Sequence, residues 1–414
     1  MIARPSPRLL WGALIFFLFS LALFLSSHLD ALIWKYERMM TYARGLIVPV
    51  KPLPTPRIGT ESPPAPFSPT PTPLPALGSF AATPGATFTP TPTFAPLPPQ
   101  AFLPSPPWEK QDINNCGPAT LAMGLRMYGW DGDQFDISQG IKPERPDRNV
   151  NPEEMVYYVN NYAGWLRAIF RVNGDLPLLK RLLAAGFPVI IEEVFMFEED
   201  FWPNDDHWAA HYLLLTGYDD MSSTFIAQDS YHGADQKIPY PTLESNWLPF
   251  NRLYLLVYRP EQEETLQSLL REDWDEQSNR QRALEHNLQE IERSPENSFV
   301  WFNYGTNLLY FERYAEAARA YDRARQIGLP QRMMRYQFGP FIAYFHASRI
   351  PDLLALADYA LQRTPNSEEA LLWKGWGLYR QGDLKGAVEL WRRALKAHPG
   401  YTDALYALQF TGQK

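Results

Sequence analysis

Proline occupies 20 of the 59 positions from Pro49 to Pro107, where only Lys51, Arg57 and Glu61 carry charge. Such a stretch cannot supply a packed core. Each proline removes a backbone donor and biases the chain toward extended polyproline II. The pieces "SPTPTPLP" and "TFTPTPTF" are typical. Residues 49–107 are therefore expected to be a disordered Pro/Thr-rich linker. It is either a spacer, a candidate for O-glycosylation on its threonines, or a ligand for an aromatic groove. Fully extended it would reach roughly 180 Å at about 3.1 Å per residue.

Residues 1–48 have a different character. Leu9 to Ser27 contains no charged residue. As a helix it spans about 28 Å, close to one bilayer hydrocarbon core. Arg4 and Arg8 precede it, and no clean small-x-small cleavage site follows. An uncleaved single-pass signal anchor in the cell membrane is expected over about 9–27, with a cleavable signal peptide as the alternative. Lys35, Arg38 and Arg44 follow the span and nearly balance the positive-inside count. The expected orientation leaves the large domains extracytoplasmic.

From Trp108 the composition is globular. Hydrophobic residues make up 45% of the whole chain and aromatics 14%, enough for real cores. The formal net charge of -8, with no basic stripe, argues against nucleic-acid binding. Helices are expected at Pro118–Tyr128, Pro152–Tyr162 and Leu176–Ala185. Strands are expected at Phe187–Phe195, Tyr212–Asp220, Ser223–Tyr231 and Arg252–Pro260. Helices first and mainly antiparallel strands after them predict an α+β domain over 108–260.

The remainder is helical and repetitive. Trp301, Gly305, Ala317, Tyr321 and Ala324 are spaced four, twelve, four and three apart. Gly375, Ala387, Trp391, Ala394 and Pro399 repeat the twelve, four and three. These segments resemble the tetratricopeptide repeat, a 34-residue helix-turn-helix. Repeats are placed at about 264–297, 298–331, 334–367 and 368–401, with a tail over 402–414. Small residues let paired helices approach, and aromatics fill the groove between repeats. The resemblance implies an all-α solenoid whose concave face binds a protein partner. The plainer alternative is a structural cap on the preceding domain.

Cys116, in "QDINNCGPATLAM", is the only cysteine, so no internal disulfide or cysteine-based zinc site can form. Pro118 suits a first helical turn and Gly129 a stop, which places Cys116 at a helix N-terminus. The helix dipole there stabilises a thiolate. A thiol nucleophile also needs a base and a group to orient that base. His211 heads the apolar run "HYLLLTGYDD", and Asp229 ends the strand "IAQDSY". Neighbouring antiparallel strands would bring them together. Gln111 and the Cys116 N–H could hold an oxyanion. His207 competes as base. Asp205, Asp206 and His207 form a possible metal set, but three adjacent ligands wrap one ion poorly, and a solvated acidic loop, extended by Glu198–Asp200, is the expected reading. Trp247 is expected to pack the last strand onto the core.

"Q…NCGPATLAM…YG", "HYLLLTGYDD" and "QDSY" together resemble the papain-like cysteine peptidases of the bacteriocin-processing, double-glycine leader type. The closer resemblance is to the broader domains of cysteine peptidase family thirty-nine. This implies Cys116 as nucleophile, His211 as general base and acid, Asp229 as orienter and Gln111 as oxyanion donor, acting on a peptide or protein substrate without cofactor or metal. Gln111 lies five residues before the cysteine, whereas the family commonly has six. No export ATPase accompanies the domain, so the double-glycine substrate is not implied. Acyl transfer or deamidation by the same triad remains open, as does a silent scaffold acting through its repeats.

Overall fold

The computed structural model describes residues 32–57, 96–147 and 149–413. The expected membrane span over 9–27 lies outside them. Among the described residues no helix is long and apolar enough to cross a membrane. The described chain begins in a helix, α1, over 32–47.

The sheet domain is built on one antiparallel sheet. Its strands are β1 (Gln100–Phe102), β2 (Arg167–Arg171), β3 (Val189–Met196), β4 (Trp208–Asp219), β5 (Thr224–Asp229), β6 (Gly233–Pro239) and β7 (Tyr254–Tyr258). They run in the order β2-β7-β3-β4-β5-β6, with β1 beside β4. Alternation along the strands makes two apolar faces. Ile190, Tyr212, Leu214, Leu255 and Val257 pack beneath α2 (Cys116–Arg126), α3 (Gln134–Ile141) and α4 (Pro152–Tyr162). Ile191, Leu213, Leu215 and Leu256 face α5 (Leu176–Ala184), α6 (Tyr240–Trp247) and α7 (Glu263–Leu270). Trp247 is fully buried there and donates Nε1–H to Leu253 O at 2.6 Å, as its packing role requires.

The linker prediction needs correcting at both ends. Gln100–Phe102 is an edge strand whose partner is the end of β4, Gly217–Asp219. A Cβ on Gly217 would lie 2.7 Å from Ala101 O, so only glycine admits β1 at this distance. The segment is too proline-rich to lie inside a sheet, but three proline-free residues suffice for an edge. At the other end, residues 51–57 lie against the repeat region.

That region consists of α8 (Glu276–Arg293), α9 (Ser298–Tyr310) with α10 (Tyr314–Ile327), a short α11 (Met333–Tyr336), α12 (Gly339–His346) with α13 (Ile350–Arg363), α14 (Glu368–Arg380) with α15 (Leu384–Ala397), and α16 (Thr402–Phe410). The repeat spacing has a direct steric cause. A Cβ on Gly305 would meet the Tyr321 ring at 2.9 Å, and one on Gly375 would meet Trp391 Nε1 at 2.4 Å.

The solenoid does not stand apart from the sheet domain. Trp208 and Phe250 stack at 5.5 Å and enter one continuous core with Phe302, Tyr321, Met334 and Phe341. Asp205 receives both terminal nitrogens of Arg332, at 2.5 and 2.6 Å. Asp205 therefore departs from the solvated-loop expectation, and its carboxylate is used by the interface rather than by a metal set with Asp206 and His207. The loop residues Glu198–Asp200 are exposed. Helices α9, α12 and α14 turn toward the sheet domain across a cavity of about 790 Å³ whose walls include Glu192, Phe250, Leu309, Ile342 and Trp373.

Candidate active site

Cys116 is the first residue of α2. The turn before it closes through Asn115 N–H to Asp112 O at 3.1 Å, and Asn114 adopts φ 57°. Asparagine tolerates that conformation well, because its short polar side chain can bond locally. Fully buried Thr120 donates to Tyr212 O at 3.1 Å, and Tyr128 donates from its hydroxyl to Val257 O at 2.6 Å. The first bond fixes the start of α2 beside β4, and the second fixes its end against β7.

His211 lies in β4, which starts at Trp208 rather than at Tyr212. Its imidazole Nε2 lies 2.9 Å from Asp229 Oδ1. Asp229 ends β5 as expected. The same Oδ1 accepts the N–H groups of Tyr231 and His232, at 2.7 and 3.1 Å. A tight turn therefore locks the carboxylate. With Nε2 committed to Asp229, Nδ1 is the nitrogen left for the hydrogen bond between His211 and the Cys116 thiol. The structure thus brings Cys116, His211 and Asp229 into one chain of contacts.

Gln111 joins the same turn. Its N–H donates to Ser230 O at 2.9 Å, and Ser230 Oγ–H donates to its Oε1 at 2.9 Å. The side-chain oxygen is thereby engaged, and Nε2 is the end that could serve an oxyanion. His207, the competing base, lies in the loop before β4 and pairs with exposed Asp200 at 2.5 Å.

The electrostatics follow from these contacts. Burial pushes the Cys116 thiol up, but the hydrogen bond and positive charge of His211 outweigh it, and the thiol is held below its ordinary value. Burial alone would lower His211. The hydrogen bonds it donates to Asp229 and to Cys116 raise it instead, to about 10. Asp229 is held well below the usual carboxylate range, because the two histidines and the turn N–H groups offset its burial. The pair is thereby biased to thiolate and imidazolium.

Four contributors escape a reading of the sequence alone. His232 donates Nδ1–H to Asp229 Oδ2 at 2.6 Å, so two imidazoles share one carboxylate. The spacing "DSYH" marks this turn, and an aspartate three residues before a histidine is the signal that could have found it. Glu193 pairs with His211 across the β3–β4 register, and burial raises it to about 7. Buried Gln134 accepts from Asp112 N–H and from Asn115 Nδ2–H, at 2.6 and 2.8 Å, and so braces the loop before the thiol. Trp108 donates Nε1–H to Asp229 O at 2.8 Å. The last three depend on register or loop path, which leaves no local pattern.

Residues 100–255 match the Peptidase_C39 like family. No curated protein matches the chain. Among solved structures, a C39-like peptidase from Bacillus anthracis is similar at 18% identity, covering 39% of this chain and 98% of that one, with a TM-score of 0.31. A double glycine motif protease from an AMS/PCAT transporter, in complex with the leader peptide, is similar at 19% identity over 38% and 94%, with a TM-score of 0.29. Xylellain, a cysteine protease from Xylella fastidiosa, is similar at 15% identity over 40% and 87%, with a TM-score of 0.31. The similarity to the Peptidase_C39 like family is thus confined to residues 100–255, less than half of the chain.

Proposed function

We propose that the chain is a membrane-anchored cysteine peptidase that hydrolyses peptide bonds through Cys116, His211 and Asp229. The observation that carries this reading is the contact chain itself: a thiol at a helix N-terminus, bonded to an imidazole that is held by a locked carboxylate. The Cys116 thiolate attacks the scissile carbonyl carbon. The resulting oxyanion is held by the Cys116 N–H and Gln111 Nε2. Protonated His211 gives its proton to the departing amine, leaving a thioester. His211 then takes a proton from water, whose oxygen attacks the thioester, and the thiolate leaves as the acid product forms. Asp229 keeps the ring oriented and stabilises its charge throughout.

The anchor is residues 9–27, and the head lies outside the cytoplasm. The cavity between sheet domain and solenoid is the route by which a polypeptide substrate, or a protein partner of the repeats, reaches the head.

The test is the alkylation rate of Cys116 against pH in the full chain, compared with His211→Ala and Asp229→Ala. A single cysteine means that each modification reports one site. A rate that persists well below the free-thiol value of ~8.5 and collapses in His211→Ala supports the pair. A rate that follows an ordinary thiol and ignores His211→Ala would sink it. Product analysis with added amines separates hydrolysis from acyl transfer.

A further inference from the structure

Residues 51–57, "KPLPTPR", run along α10 and α13 on the solenoid. Arg363 Nη2–H donates to Lys51 O at 2.8 Å. Arg325 Nη2–H donates to Pro54 O. Arg57 N–H donates to Asp352 Oδ1 at 2.9 Å. The three engaged backbone positions, 51, 54 and 57, are three residues apart. Three is the period of polyproline II, the conformation that a proline-rich segment favours, so this spacing matches one edge of such a helix. Prolines 52, 54 and 56 offer no N–H, so carbonyl oxygens are the main backbone handles on such a segment. Guanidinium groups suit them, being donors only.

The reading groups are built in. Asp352, Arg325 and Arg363 are 3%, 5% and 8% exposed. Arg363 stacks at 3.6 Å on the Tyr359 ring, and Arg325 lies 5.3 Å over Tyr344. Both guanidinium planes are therefore fixed before any peptide arrives. Leu53 drops between the prolines and packs against the solenoid core. Pro351, Leu354 and Ala355, together with Lys51, Pro52, Pro54 and Arg57, line an open space of about 450 Å³ beside the segment.

We infer that this face of the solenoid is a binding site for extended Pro-Leu-Pro peptides, filled in this chain by its own residues 51–57. The same triplet recurs at 73–75 and 96–98. The site is thus matched to a composition that the chain itself carries in several copies. Filled in cis, it straps the catalytic head to the anchor side of the linker. Emptied, it accepts the equivalent segment of a second copy. The inference does not depend on the peptidase chemistry.

The test uses the full chain in detergent micelles and a fluorescent peptide with the sequence of residues 49–57. Leu53→Glu in the chain places a charge against the core and empties the groove. The peptide is expected to bind Leu53→Glu saturably, at least tenfold more tightly than the wild type, whose site is occupied. A peptide with glutamate in place of its leucine is expected to lose at least tenfold in affinity for the same variant. Adding Arg363→Ala to Leu53→Glu is expected to lose a similar factor, with circular dichroism confirming the helices. Equal binding to wild type and Leu53→Glu, no binding to either, or indifference to the peptide's leucine would each overturn the inference.

Discussion

Two places in this molecule bury charge, and they use it differently. At the interface, Asp205 meets Arg332 with both side chains at most 1% exposed, and inside the solenoid Asp322 and Asp352 meet Arg325 and Arg349. At the candidate catalytic edge, Asp229 meets His211, whose side chain is 4% exposed. The desolvation cost is similar. The cation is not. Arginine keeps its proton at any accessible pH, so the interface ions are locked together. Histidine holds its charge conditionally, and here the condition includes the state of Cys116. Burial against arginine makes adhesive, whereas burial against histidine and a thiol makes a group that can move protons.

The largest effect that would sharpen this contrast is on turnover. His211→Ala is expected to lower kcat on a cleavable peptide by about 10^5-fold or more, and Asp229→Asn by about 10^3–10^4-fold, with little change in the unfolding midpoint. In the wild type the acid limb of the pH profile reports thiolate formation and lies below the ordinary thiol value. The alkaline limb reports loss of the His211 proton and lies at about pH 10. An Asp229→Asn enzyme of near-wild-type activity would remove the distinction between the two sites.

The next effect falls on stability. Arg332→Ala leaves Asp205 buried and unpaired and is expected to cost about 3–5 kcal/mol in denaturant unfolding. Replacing both partners by apolar residues of similar size is expected to recover most of that. If Arg332→Ala alone proved neutral, the interface pair would not be acting as adhesive at all.

A smaller loss tests the repeat packing beside that interface. Gly375→Ala puts a methyl group where Trp391 Nε1 is 2.4 Å away. Overpacking of this kind costs about 1–3 kcal/mol. The Cys116 alkylation profile should not move, because the strain stays within one helix pair.

How much of this was legible follows from the range of the interactions. Helix α4 begins at Pro152 and ends at Tyr162, as expected, because its proline start and apolar spacing are local signals. Gly305 and Gly375 announced the helix pairs, because close approach demands glycine wherever it occurs. Cys116 and Asp229 were legible as candidates because each stands at the end of an element with its own pattern, whereas His211 was legible only through the apolar run that follows it inside β4. Asp205 was misread because its partner, Arg332, lies 127 residues away. No local pattern tells a buried acid from a solvated one in an acidic loop. Residues 51–57 were assigned to a linker on composition, which is correct about what such a segment cannot do alone. It is silent on a groove that supplies the missing donors.

The smallest expected effect separates two histidines four residues apart. His207 sits in a loop, 30% exposed in its side chain, and pairs with Asp200, itself 48% exposed. That pair raises its pKa through the Asp200 hydrogen bond, as Asp229 raises His211, so the direction of the shift does not distinguish them. What differs is the third member, since only His211 bonds to the thiol. An exposed ion pair contributes about 0–1 kcal/mol and is weakened by salt. His207→Ala is therefore expected to leave the Cys116 alkylation profile unchanged and to shift the unfolding midpoint only slightly, and less at high salt. A profile that moved toward an ordinary thiol in His207→Ala would mean that the acidic loop feeds the catalytic pair. The comparison between adhesive and reactive burial would then have to be redrawn around that loop.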